Sequence, residues 1–182
     1  LDVSRFSTNL VTDMSHMFQR CNSLISLDVR SFGTETVVDM SHMFSYTSLE
    51  HLDLSKFQTR QVTSMSHMFA YSQSWKELDL SSFYTSQVED MSYMFQNCAS
   101  LTSLNINFRA DNLFSTFAMF DDCRELTSID LSNFVTSEVM DMTNMFSYCY
   151  KLTRLEISKF DTRNVESMAY MFKECSSLTS LE

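Results

Sequence analysis

Three histidines, His16, His42 and His67, recur at intervals of 25 or 26 residues, and five cysteines, Cys21, Cys98, Cys123, Cys149 and Cys175, recur in a column of their own. Imidazole and thiolate are the usual zinc ligands and common partners in nucleophilic catalysis. Equivalent residues of a repeat point the same way rather than toward one another, and no carboxylate stands among the three histidines, so no metal is expected there. His51 lies in a different column, near the strand. The cysteines are odd in number and lack Cys-x-x-Cys spacing, and parallel side chains are poor disulfide geometry. They read as small buried apolar residues. Ser and Thr are abundant but occupy repeat columns, with no Ser or Cys set apart beside a His and an acid. The chain reads as no enzyme and needs no cofactor.

The elements that position these columns follow from the repeat. Copies begin at Leu1, Leu27, Leu52, Leu78, Leu104, Ile129 and Leu155, and an eighth is cut short at Leu181–Glu182. A fixed period of this size means one unit stacked on itself, each touching its neighbours. In the fourth copy Leu78 and Leu80 alternate with Asp79 and Ser81, a short strand with one buried face. Val88 then forms a second bridge or plugs the core. Met91, Met94, Phe95 and Cys98 fall at i, i+3, i+4 and i+7, the spacing of one helix face. Asp90 precedes them, in a column reading Asp13, Asp39, Ser64, Asp90, Ser115, Asp141 and Ser167, the residue types that cap helix N-termini. The Met and Phe columns are therefore expected in the core. The predicted fold is an α/β solenoid of leucine-rich-repeat type, right-handed, with one short parallel strand and one short helix per turn. Residues 1–182 form a single repeat domain of seven turns. Its opening in mid-pattern suggests a fragment of a longer chain, with uncapped ends that invite end-to-end self-association.

The phrases LDLSxFxT, VxxMxxMFxxC and SLTSL, as at Leu52–Thr59, Val88–Cys98 and Ser177–Leu181, resemble those of the BspA-like leucine-rich-repeat surface proteins of bacteria and some protists. The resemblance spans essentially the whole chain. It implies an α/β solenoid on the outside of cells, often in adhesion or host interaction.

Composition narrows the partners. A formal net charge of −10 argues against a phosphate-binding surface and so against nucleic acid. Pro is absent, Gly33 is the one glycine, and no apolar run approaches the ~20 residues that span a bilayer. Constant columns belong to the scaffold, so a ligand would be read by exposed columns that vary. The columns two and six residues after the first Met of each copy pair His42 with Tyr46 and His67 with Tyr71, followed by Tyr93 with Asn97. On a helix these would share one outward side, clustering His42, Tyr46, His67, Tyr71 and Tyr93 as a candidate contact surface. The fifth copy, LNINFRADNLFSTFAMF, loses the Asp, the Thr and one residue, and places Phe114 and Phe117 where other copies are mostly polar. That is a local bend or a hydrophobic contact point. The acidic strand column Asp2, Asp28, Asp53, Asp79, Asn105, Asp130 and Glu156 is a cation track or simply a soluble face. The expected function is recognition or adhesion at the cell surface, toward an extracellular protein or glycan. The alternative is a spacer that projects other domains.

Overall fold

The computed structural model describes residues 1–181; Glu182 lies outside the described residues. Each copy forms one turn, numbered one to seven in chain order, and successive turns pair in register. Parallel bridges connect Asp13, Asp39, Ser64, Asp90, Ser115, Asp141 and Ser167 in sequence. The Leu column forms short parallel strands, β1 (Glu77–Asp79) against β2 (Ser103–Asn105), and β3 (Arg154–Leu155) against β4 (Ser180–Leu181). Leu78 and Leu104 face inward and their neighbours outward, as alternation requires.

The expected α/β solenoid with a helix in each turn is wrong: no described residue is helical. The Met-Phe segment is a train of β-turns. Met94 N–H donates to Met91 C=O at 3.2 Å, Gln96 to Tyr93 at 3.0 Å, and Cys98 to Phe95 at 3.1 Å. The third residue of the first and last of these turns has positive φ, 59° at Tyr93 and 54° at Asn97, as a type II turn demands and a right-handed helix forbids. A β-turn, like a helix, brings residues i and i+3 together. Two turns in tandem, Met91–Met94 and Phe95–Cys98, therefore reproduce the spacing of a helix face.

The intervening amides settle the choice of structure. Met91, Tyr93, Phe95 and Asn97 donate across to Ser115, Phe117, Met119 and Asp121 of the next turn, at 3.3, 2.8, 2.9 and 2.8 Å. A helix would satisfy these donors within one copy; stacking satisfies them between copies. The cap column keeps its chemistry without a helix, since Asp90 Oδ1 accepts the Ser92 amide at 2.8 Å.

The core follows the predicted columns. Phe18, Phe44, Phe69, Phe95, Phe120, Phe146 and Phe172 stack as one spine, with centroids 5.7, 5.8, 5.7, 5.4, 5.4 and 5.9 Å apart. Met40, Met43, Met65, Met68, Met91 and Met94 are fully buried beside it. Trp75 meets Phe69 edge-on at 6.1 Å. The cysteines are more than apolar filler. The thiols of Cys98, Cys123 and Cys149 donate to the carbonyls of Phe69, Phe95 and Phe120, one turn back, each at 3.2 Å. Burial pushes Cys98 up to about 12, so it stays a protonated donor. No described helix is long and apolar enough to cross a membrane.

Candidate recognition surface

The two variable columns are the left-handed positions of the turn train. His16, His42, His67, Tyr93, Ala118, Asn144 and Tyr170 form one; Arg20, Tyr46, Tyr71, Asn97, Asp122, Tyr148 and Glu174 form the other, all with φ between 51° and 62°. Asn, Asp and His tolerate this region, but Tyr, Arg, Glu and Ala adopt it at a cost of ~1–2 kcal/mol each. The return is that their amides reach the next turn: His42 donates to Ser66 at 2.9 Å and Tyr71 to Gln96 at 2.7 Å.

This backbone sets the side chains in two tracks. His16, His42, His67 and Tyr93 stack ring on ring, at 4.5, 4.3 and 4.3 Å. Ala118 has no ring to continue the series, and Phe117 tilts against Tyr93 at 5.0 Å instead. In the second track Arg20 lies 5.4 Å from the Tyr46 ring, and Tyr46 stacks on Tyr71 at 4.6 Å. Beyond Tyr71 the track becomes polar: the Asn97 amide donates to Asp122, which also holds Arg124 at 2.7 Å. Structure thus gathers His42, His67, Tyr93 and Phe117, and sets Tyr46 and Tyr71 in a parallel row. The five ladder candidates are half-buried rather than standing free. Burial, then the charge of His42, pushes His67 down to about 4, and its Nδ1 is buried without a partner.

Phe114 stands apart. It occupies the column of Val38, Glu89 and Met140, 41% exposed, and its carbonyl accepts the Met140 amide at 2.9 Å. Met140, also exposed, extends this apolar spot and was not expected from the repeat.

The carboxylates of the acidic strand column bond to their own backbone. Asp53, Asp79 and Asp130 each accept the backbone amide two residues on, at 3.0, 2.9 and 2.9 Å. Asp28 is held down to about 2, first by the Arg30 guanidinium and then by the Arg30 amide. Each of these carboxylates thus holds its own bend. Among the described residues no three His, Cys, Asp or Glu side chains converge as a metal site would need.

Turn five opens a depression that sequence reading did not locate. Beside its short corner lies a hollow of about 1020 Å³ that runs from turn four to turn seven, bordered by Tyr84, Asn107, Arg109, Asn133, Val135 and Lys159. Arg109 pairs with Asp111 at 3.3 Å, and the Asn133 amide donates to Asn107 at 3.0 Å. The missing residue and the missing Thr were visible in the repeat; the space they vacate was not.

One family matches the chain, described as "Mycoplasma protein of unknown function, DUF285", over residues 1–108 and 114–181. The chain belongs to this family. No curated protein matches it. The two DUF285 stretches are separated by residues 109–113, the segment that carries Arg109 and Ala110. Of these residues, Arg109 and Asp111 line the hollow beside turn five.

Proposed function

We propose that this DUF285 chain is a non-enzymatic recognition segment of a cell-surface protein, binding an extracellular protein or glycan through the positions its scaffold leaves free. The double aromatic track carries this reading. Its residues vary from turn to turn while the core columns do not, and the backbone and ring stacking hold them rigid before any partner arrives. Pre-ordered aromatic side chains lose little entropy on binding, and Tyr is enriched at interaction hot spots. The resemblance of the repeat phrase to BspA-like surface proteins supports an extracellular setting.

A second reading is favoured by one observation: the rings stack on each other and thereby satisfy much of their own surface. On that reading the chain is a rigid spacer. Tyr46→Ala combined with Tyr71→Ala separates the two. The recognition reading expects attachment to cells or immobilised matrix proteins to fall by about tenfold or more with the fold intact. Attachment unchanged by the double substitution would remove the track from the binding surface.

A further inference from the structure

A buried Thr links each turn to the next through one hydroxyl. Thr59 Oγ1 donates to the Tyr84 carbonyl at 2.9 Å and accepts the Tyr84 amide at 2.8 Å. Thr136 does the same for Asp161, at 3.0 and 2.7 Å, and Thr34 for Gln58, at 3.2 and 2.7 Å. Thr85 accepts the Arg109 amide at 2.8 Å, and Thr8 donates to Gly33 at 3.0 Å. In turn five the equivalent residue is Ala110, and the residue it should serve is Val135. Among the described residues, neither the N–H nor the C=O of Val135 has a hydrogen-bond partner. Val135 is half-buried and borders the turn-five depression.

We propose that the turn-five depression binds an oligosaccharide, one of whose hydroxyls takes the place of the missing Thr hydroxyl on the backbone of Val135. The vacancy has a specific chemistry. It asks one atom to donate to a carbonyl and accept from an amide of the same residue, as a hydroxyl does. A peptide offers such an atom only on a Ser, Thr or Tyr side chain, whereas a sugar carries hydroxyls around its whole ring. The rest of the wall suits the same ligand. Asn107 and Asn133 can each donate and accept, and Arg109 and Lys159 add donors; the Tyr84 ring, 49% exposed, already carries the Arg60 guanidinium 3.7 Å from its centroid, so a pyranose would have only its opposite face. At about 1020 Å³ the hollow lies at the upper end of the ~300–1,000 Å³ usual for small-ligand sites, room for more than one sugar ring. The net charge of −10 disfavours a nucleic acid as the source of those hydroxyls. This inference rests on the recognition reading and names its ligand class, at a place distinct from the aromatic track.

The test is binding of the whole chain to immobilised oligosaccharides ending in mannose, galactose, N-acetylglucosamine or sialic acid. The expected result is binding to at least one of these classes. Ala110→Thr, which restores the hydroxyl from within, should weaken that binding by about tenfold or more. Asn133→Ala and Lys159→Ala alter exposed side chains, should weaken the same binding without lowering the melting temperature, and decide the case if Ala110→Thr perturbs the fold. The Tyr46→Ala/Tyr71→Ala protein should bind the same sugar as well as the unaltered chain does. No retained oligosaccharide, or retention unchanged by all three depression substitutions, would overturn the proposal. Sugar binding abolished only in the tyrosine variant would overturn it while leaving the recognition reading intact.

Discussion

Tyr93 donates its backbone amide to the carbonyl of Phe117 at 2.8 Å, and its φ of 59° is what aims that amide at the next turn. The same geometry recurs down both variable columns. Glycine is the residue best suited to such positions, yet the chain's single glycine, Gly33, is not one of them. Inter-turn hydrogen bonds and ring stacking hold the strained residues in place.

Left-handed backbone makes an unusual prediction for glycine substitution. In a helix interior Ala→Gly costs ~1 kcal/mol. At Ala118, with φ of 51°, relief of left-handed strain should outweigh the added chain entropy. Ala118→Gly is therefore expected to stabilise by about 0.5 kcal/mol. Asn144→Val, which puts a β-branched residue at φ of 58°, should cost about 1–3 kcal/mol. Urea denaturation of the two variants checks both signs, and a destabilised Ala118→Gly would contradict the strain argument.

The cysteine column should accept serine better than valine. Ser72 already stands in that column, and its hydroxyl donates to the Phe44 carbonyl at 2.8 Å, as Cys98 does to Phe69 at 3.2 Å. Cys98→Ser keeps the donor and should cost about 1 kcal/mol or less, while Cys98→Val leaves a buried carbonyl unpaired and should cost about 2 kcal/mol. With its thiol pushed up to about 12 by burial, Cys98 should resist thiol reagents at neutral pH until the chain is unfolded. Equal stability of the Ser and Val variants would show that the thiol acts only as filler.

Acid should loosen the His ladder before it disturbs the carboxylates. His67 falls from the ordinary 6.5 to about 4 in the folded chain, through burial and then the charge of His42. The unfolded chain therefore takes up this proton first. The contribution of neutral His67 is complete above 6.5 and is lost as pH falls from 6.5 through about 4. His42 is lowered in the same direction, also by burial first. Asp28, held to about 2 against an ordinary 3.8, loses its contribution in a more acidic window. The denaturation midpoint should drop between about pH 6.5 and pH 4, and less so in His67→Asn, which tolerates the left-handed backbone. Identical pH profiles for the two proteins would rule His67 out as the cause.

Much of the architecture was legible in one dimension. The period sets the stack, the alternation at Leu78–Leu80 marks the strand, and the Met, Phe and Cys columns name the core. Such features repeat with the chain, and a column's hydrophobicity says which side of a turn it faces. Helix and turn train could not be separated this way. Met91, Met94, Phe95 and Cys98 would line one side of either structure, and the left-handed residues are Tyr, His and Asn rather than a telltale Gly. The deciding quantity is where the amide of Tyr93 finds its acceptor, and that carbonyl lies in another copy. The candidate site divides in the same way. Sequence alone marked His42 through Tyr93 and the departure of turn five, because both break the repeat. Only the tertiary structure revealed that the rings stack into tracks and that losing one residue and one hydroxyl leaves a hollow beside Val135, because both depend on what the adjacent turn places opposite.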